Sequence, residues 1–345
     1  MVHYGAVVRE PNGKGRLCRF SVRKFIKCAG IMKLHLKVAV YRGGTFWKEC
    51  WESIKQNLDL FEGVYVSFNL SELQDEDVAV IGDLQSEKIH WIRQKRFLSA
   101  AQHGVAMDHW LRQFRLDGHV LIFCHDDILI REGLLELHAM NLQESDAAFC
   151  AAVVFFEKKE GRRSLVAREL AWQSRAPMSP EVFLTTRDQL LLSVSRVVIP
   201  AAAFRNDPAV WNLPEYGCWA EFCYLCAPEV SRIFQTAAPA VGVRWHENSE
   251  TSRTPRSLRV FDTILFQLYM FSRSKDPCLR LRAAKDAGYA MRLDFPRSLL
   301  YFVQAQFRLR KLDSWRPADG VLMAGYFIRI VGEKIMKRLG KGARP

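Results

Sequence analysis

The sequence has no run of about 20 apolar residues, which is the length that a membrane-spanning helix requires. Its longest apolar run, residues 147–156, suits a buried strand. The first 31 residues are basic and lack the long apolar segment of a signal peptide. We therefore expect a cytoplasmic chain that does not cross the bilayer, and Met32, just before the first predicted strand, is a candidate start of translation.

Paired cysteine spacing is also missing. The nine cysteines are an odd number scattered along the chain, which predicts reduced thiols rather than a disulfide framework. Cys223 and Cys226 form one C-x-x-C pair near Cys218, but no second pair or histidine cluster completes four zinc ligands. We interpret these three as ordinary buried cysteines.

Acidic residues are scarce at both ends of the chain. Residues 1–31 contain 7 Lys or Arg against 1 Asp or Glu, residues 251–345 contain 20 against 7, and the middle contains 23 against 29. A nucleic-acid-binding domain places positive charge on its folded recognition surface, so this distribution argues against a nucleic-acid partner. A basic tail on an acidic domain fits an anionic membrane surface, and a merely solvated tail is the alternative.

Short apolar runs alternate with longer helical patterns from Leu34 onward, which is typical of βαβ units in an α/β fold. The predicted strands cover residues 34–41, 64–68, 88–93, 119–124, 147–156, 193–199 and 241–246. The predicted helices cover residues 45–56 with Thr45 as N-cap, a stretch within 96–114, a segment beginning near Arg131, and 257–271. Residues 1–31 are expected to be poorly ordered, residues 32–255 to form the main domain and residues 256–345 a basic helical region. Within that region, we expect residues 326–339 to form a basic amphipathic helix, which would fit a membrane interface, a lid or a dimer contact.

Two adjacent carboxylates, Asp126 and Asp127, follow the predicted strand at residues 119–124. Ligands of open α/β sheets bind at the carboxyl ends of the strands. Neighbouring carboxylates repel each other unless a cation or a basic group neutralises them, and Mg²⁺ or Mn²⁺ would suit their hard oxygen atoms and could bind a diphosphate. A solvated turn or a helix cap is the alternative interpretation.

Two later segments contain further candidates. Glu221 opens a helix in a stretch rich in glycine and aromatic residues, where it is either a general base or a first-turn residue favoured by the helix dipole. His246 ends a predicted strand, where it either completes a metal site or is a hydrogen-bonded loop residue, and Arg244 beside it could contact phosphate.

The order and spacing of four segments resemble the family 2 glycosyltransferases: residues 38–54 (VAVYRGGTFWKECWESI), residues 99–106 (SAAQHGVA), residues 125–127 (HDD) and residues 245–249 (WHENS). The resemblance covers residues 33–254. It implies a GT-A fold, with a Rossmann-like mixed sheet flanked by helices and a C-terminal helical appendage. It also implies inverting transfer from a nucleotide-diphosphate sugar to a saccharide or lipid-linked acceptor in polysaccharide synthesis.

The same resemblance implies roles for individual residues. Asp127 would be the metal ligand with His246, and Glu221 the catalytic base. The donor nucleotide would contact five residues: Tyr41, Arg42, Asn69, Gln102 and Asp126.

The sequence departs from the family pattern at two of these positions. Asn69 stands where the family usually has an acidic nucleoside contact, and only one carboxylate remains at Ala220-Glu221, so Glu215 is a rival base. A nucleotidyltransferase on a similar fold and a catalytically silent, membrane-associated binding protein are the alternatives to the enzyme.

Overall fold

The computed structural model describes the following residues: 33–69, 74–82, 86–140, 147–159, 162–164, 177–186, 197–204, 224–225, 227–245, 254–311, 315–326 and 328. The strands are β1 Leu34–Val40, β2 Gly63–Phe68, β3 Ile89–Arg93, β4 His119–Cys124, β5 Ile128–Leu129, β6 Ala147–Lys159, β7 Arg162–Ser164, β8 Val197–Pro200 and β9 Arg232–Trp245. The helices are α1 Gly44–Gln56, α2 Gln74–Ala79, α3 Ala100–Leu111, α4 Arg131–Ala139, α5 Pro180–Thr186, α6 Arg256–Arg273, α7 Pro277–Leu293 and α8 Arg297–Leu309.

The strands in this part of the chain form one mixed sheet in the order β3-β2-β1-β4-β8-β6-β9-β5, with β7 paired to β6. Strands β3, β2, β1 and β4 are mutually parallel, whereas β8 is antiparallel to β4 and to β6. The predicted α/β class and the mixed sheet are confirmed. The predicted ends of the first four strands are accurate to one residue, but β9 is much longer than predicted because it pairs with β6 along most of its length.

The order of the parallel strands creates a crevice at one edge of the sheet. The chain proceeds from β1 outward to β2 and β3, and it then returns to place β4 on the other side of β1. The carboxyl ends of β1 and β4 therefore lie side by side at a topological switch point, which is where open α/β sheets bind ligands.

Alternate residues of the central strands face two different helical layers. One face packs on α1 and α4 and consists of these apolar residues: Leu34, Leu36, Val38, Val40, Val64, Val66, Phe68, Leu121 and Phe123. The other face packs on α3 and α6 and includes Tyr65, Val120 and Ile122. This division arises because successive side chains of a strand point to opposite faces. In β4 the residues on both faces are apolar, since the strand is covered by helices on both sides.

Helix α1 begins differently from the prediction. Its N-cap residue is Gly43 and not Thr45, which lies within the first turn. The carboxylate of Asp77 accepts hydrogen bonds from the backbone N–H groups of Gly43 and Gly44, both at 2.9 Å. Because Asp77 belongs to α2, the carboxylate that caps α1 comes from outside the helix, and local sequence could not identify it.

The C-terminal helices share a core with the sheet. Buried residues of α6 and α7 belong to the same apolar cluster as Met107 and Leu111 of α3 and Val120 of β4. None of the helices in the described ranges is both long enough and apolar enough to cross a membrane. The division at residues 255 and 256 stays a prediction, and most of the predicted helix at residues 326–339 lies outside the described residues.

Candidate functional site

The chain turns sharply after β4 and places Asp127 in the crevice. The backbone N–H of Asp127 donates to the carbonyl of Cys124 at 3.2 Å, and the short strand β5 then pairs antiparallel with β9. This pairing brings Arg244 of β9 close, and its backbone N–H donates to Oδ1 of Asp127 at 3.0 Å. Asp127 is only 3% exposed, so its carboxylate is held in one position at the carboxyl end of β4.

Three potential metal ligands converge in this turn. Ligand atoms of Cys124, Asp126 and Asp127 all lie within 4.8 Å of one another. Asp126 and Cys124 are partly exposed, whereas Asp127 is buried. The turn therefore presents oxygen donors and one sulfur donor to the same small volume, as a cation site requires.

A buried thiol lies behind this cluster. Cys50 of α1 donates a weak hydrogen bond to the carbonyl of Cys124, with Sγ and oxygen 3.9 Å apart. Burial raises the pKa of the Cys50 thiol well above its usual value, the charges of Asp127 and Asp126 raise it further, and Arg244 opposes the rise. Cys50 is therefore a protonated packing residue.

Arg244 contributes positive charge inside the crevice. Its Nη2 lies 2.9 Å from a carboxylate oxygen of Glu49, and its guanidinium lies 5.3 Å from the ring centre of Phe46, both on α1. The side chain is 11% exposed, and its Nη1 is buried without a hydrogen-bond partner in the described part of the chain. Its unused donor can bind an anionic ligand once a cation offsets the charge of the neighbouring carboxylates.

Tyr41 and Arg42 lie at the carboxyl end of β1, as predicted. The Tyr41 ring contacts the exposed ring of Phe97 edge-on at 5.7 Å, and the Arg42 guanidinium lies 5.5 Å from the Tyr41 ring centre. Arg42 has a φ of 49° and Gly44 a φ of 50°, so the loop between β1 and α1 turns through two left-handed residues. This turn leaves aromatic and cationic groups at the rim of the crevice.

Asn69 and Gln102 have structural contacts at the same end of the sheet. The side chain of Asn69 donates to the carbonyl of Leu98 and accepts from its N–H, at 2.7 and 3.1 Å. Gln102 forms a capping box with Ser99 at the start of α3. Both side chains therefore fix the segment before α3, and their predicted contacts with a donor stay predictions.

A buried polar network lies beneath the crevice, between α3 and the sheet, and the sequence interpretation missed it. His103 shares a 2.8 Å hydrogen bond with Ser67, which also accepts from Gln94 at 2.9 Å. Burial lowers the pKa of His103 to about 4, and the charges of Lys37 and His125 act in the same direction.

The same layer contains an ion pair between Lys37 of β1 and Asp108 of α3, whose charged atoms are 2.8 Å apart. Both side chains are almost fully buried. A charged residue within an apolar strand was the available signal, but the sequence does not reveal its partner.

Several predicted site residues lie outside the described residues. They are Glu221, its rival Glu215, His246 and the cysteines Cys218, Cys223 and Cys226. The structure brings together Tyr41, Arg42, Asp126 and Asp127 at one edge of the sheet, while the roles of all these residues stay predictions.

Comparisons with known proteins define the fold. No protein-family model matches the sequence, and no curated protein matches it. The chain is similar to the solved structure of residues 1–349 of TarS from S. aureus in complex with UDP-GlcNAc, with 14% identity, a TM-score of 0.54, and coverage of 86% of this chain and 81% of that chain. A second structure of TarS 1–349 gives 14% identity, a TM-score of 0.51 and coverage of 88% and 82%. At this identity the likeness shows the fold, which is a Rossmann-like α/β fold of the glycosyltransferase type.

Proposed function

We propose that this chain is a nucleotide-sugar-dependent glycosyltransferase of family 2 and GT-A type. It transfers a sugar with inversion to a hydroxyl group of a saccharide or lipid-linked acceptor, in the synthesis of a cell-surface polysaccharide. The observation that carries the proposal is the buried Asp127 at the switch point of a sheet whose fold is shared with TarS, a protein solved with UDP-GlcNAc. Fold alone does not fix a function, so the chemistry of the crevice supplies the rest of the argument.

The residues at the end of β4 fit a divalent cation. Carboxylates of Asp126 and Asp127 provide the oxygen atoms that Mg²⁺ and Mn²⁺ prefer, and the nearby thiol of Cys124 is better tolerated by Mn²⁺. We assign Asp127 and Asp126 as the residues that hold the ion, together with His246. When bound, such a cation neutralises charge on the departing nucleoside diphosphate.

The remaining groups of the crevice suit the donor. Arg244 offers a guanidinium donor to the diphosphate, in competition with its present partner Glu49. Tyr41 and Arg42 at the rim offer an aromatic ring and a cation to the nucleoside end, where Asn69 and Gln102 fix the neighbouring segment. We therefore add Arg244 to the residues proposed to bind the nucleotide-sugar.

Glu221 is proposed as the catalytic base. The acceptor oxygen attacks the anomeric carbon from the side opposite the leaving group, its proton passes to the carboxylate of Glu221, and the bond from the anomeric carbon to the diphosphate oxygen breaks. Attack from the opposite side inverts the anomeric centre. Glu215 is the rival base, and the Glu215→Gln and Glu221→Gln variants distinguish the two.

The test is donor turnover by wild type and by Asp127→Asn. The asparagine keeps an oxygen that accepts the N–H of Arg244, but it loses the charge that a cation needs. We expect the release of nucleoside diphosphate from a panel of nucleotide-sugars with Mn²⁺ and acceptor to fall by about 100-fold or more. The matched control is Asp117→Asn, in the exposed turn before β4 at the opposite end of the strand, which should retain wild-type turnover.

Melting temperatures of the variants distinguish loss of chemistry from loss of fold. Wild-type turnover by Asp127→Asn would contradict the metal role. Release of pyrophosphate in place of a nucleoside diphosphate would show a nucleotidyltransferase. Failure of every nucleotide-sugar to raise the melting temperature with Mn²⁺ present would favour a silent binding protein, since a ligand that binds only the native state stabilises it.

A further inference from the structure

Helix α8 exposes large apolar side chains to solvent. Leu299, Leu300, Val303 and Phe307 have exposed fractions between 45% and 59%. Their spacing places them within one stripe of the helix surface, since residues three and four apart are neighbours on a helix. We call these four residues the α8 stripe.

The inward side of α8 has the opposite character. It buries the small residues Ser298 and Ala305 together with Leu309. Tyr301 and Phe302 also pack against the core and are partly buried. A surface helix of a globular protein normally turns its large apolar residues toward the core, whereas α8 also leaves the four large apolar residues of the α8 stripe exposed. Phe295, 66% exposed in the turn before α8, extends the apolar surface at the start of the helix. Contiguous apolar surface of this kind marks an interaction site.

Exposed cations border the α8 stripe at both ends. Arg297 begins the helix, and Arg310 and Lys311 follow its end. The guanidinium of Arg310 lies 4.7 Å from the ring centre of Phe307, so positive charge lies directly against the apolar stripe. Residues 251–345 as a whole contain 20 basic against 7 acidic residues.

The charge distinguishes between possible partners. A second copy of the chain would bring the same cations to the interface and would be repelled. An anionic lipid surface supplies opposite charge to the cations and an acyl layer to the apolar residues, as with helices that lie in the plane of a membrane interface.

We propose that the α8 stripe is a membrane-docking surface, in which Leu299, Leu300, Val303 and Phe307 insert among the acyl chains of an anionic bilayer while Arg297, Arg310 and Lys311 contact its phosphates. This contact goes beyond the proposed function, and it belongs to a folded helix rather than to the basic segment at residues 326–339. It would hold the sheet beside membrane-bound molecules.

Sedimentation of the full-length chain with lipid vesicles tests the docking surface. We expect binding to vesicles of phosphatidylcholine mixed with phosphatidylglycerol and much weaker binding to phosphatidylcholine alone. The double variant Leu300→Gln/Phe307→Gln should bind the mixed vesicles at least about tenfold more weakly, because two large apolar side chains no longer favour the acyl layer. The pair Arg310→Gln/Lys311→Gln should also weaken binding, with a smaller dependence on salt than wild type.

The matched control is Trp91→Gln on strand β3, because Trp91 is an exposed aromatic residue outside α8, and this variant should bind as wild type does. These substitutions are at exposed positions, and unchanged melting temperatures confirm that each variant is folded. The proposal is overturned if wild type ignores the mixed vesicles, if the α8 double variant binds them as wild type does, or if wild type is a dimer that the double variant converts to monomers. Failure of the vesicle experiment would not contradict the proposed glycosyltransferase activity, which is tested separately by turnover of the nucleotide-sugar.

Discussion

Strands β1, β2 and β4 present one face to α1 and α4 and the other face to α3, and the two faces bury different chemistry. The face toward α1 contains aliphatic and aromatic residues such as Leu36 and Val38. The face toward α3 contains the Lys37–Asp108 ion pair and the hydrogen-bonded pair of His103 and Ser67. Residues adjacent in sequence, such as Leu36 and Lys37, therefore enter different environments.

The difference between the two faces shows which part of the core depends on charge for its stability. The apolar face is stabilised by removal of surface from water, which does not depend on pH. The polar face depends on each partner being present and in the correct protonation state, because an unpaired charge in the interior is costly. That polar face lies next to the candidate site, since the charge of His125, in the turn after β4, lowers the pKa of His103.

The largest expected effect is from breaking the buried ion pair. Lys37→Met should lower the free energy of unfolding by about 3 to 5 kcal/mol, because Asp108 loses the ammonium that compensates its burial. Burial already raises the pKa of the Asp108 carboxyl, and Lys37 opposes that rise. Urea unfolding of the variant measures the loss.

Two further variants sharpen this comparison of faces. The double variant Lys37→Met/Asp108→Leu should recover much of the stability, since no buried charge remains, whereas additive losses would show that the pair is not coupled. Leu36→Ala, one residue away on the apolar face, should cost about 3 kcal/mol through the lost side chain and its cavity. No second substitution on α3 should recover the stability lost in Leu36→Ala.

The next effect is a pH dependence that centres on His103 of the polar face. His103 has a pKa of about 4 in the folded chain against the usual 6.5. Between these values the imidazole of the unfolded chain binds a proton that the folded one does not. The free energy of unfolding should therefore fall by about 2 to 3 kcal/mol as the pH drops from 6.5 to 4, and should be constant above that window as far as this group is concerned.

The free energy of unfolding of wild type and of His103→Gln, measured across this pH range, isolates the contribution of His103 to the pH dependence. His35 and His119 are also buried and have lowered pKa values. The free energy of unfolding should therefore still fall with pH in His103→Gln, but less steeply than in wild type. Equal slopes in the two proteins would show that His103 titrates normally.

The smallest of these effects concerns the Asp77 carboxylate, which caps the start of α1. Asp77→Ala should lower stability by about 1 to 2 kcal/mol, because the N–H groups of Gly43 and Gly44 lose their acceptor. Asp77→Asn, which keeps one acceptor oxygen, should cost less. Thermal unfolding of both variants measures the difference, and a larger loss in the asparagine variant would contradict a capping role.

The succession of short apolar runs and longer helical patterns was enough to predict the fold class and the first four strands. It placed Asp126 and Asp127 directly after β4, because local sequence shows where a strand ends. It did not predict that Arg244 would hold Asp127, since 117 positions separate them and the pairing of β5 with β9 decides their contact. The cap of α1 was assigned to Thr45 for the same reason: Asp77 reaches it only through tertiary packing.

The sequence by itself determined where the first four strands run and where carboxylates stand relative to strand ends, since both depend on short-range backbone geometry. Only the tertiary structure decided which residues meet: Lys37 with Asp108, His103 with Ser67, and Asp127 with the backbone of Arg244. These contacts depend on strand order and helix placement, which the free energy of the whole core selects. Tertiary packing also leaves the α8 stripe exposed to solvent. The spacing of its residues predicts an apolar stripe on the helix, but not whether that stripe faces the core or the solvent.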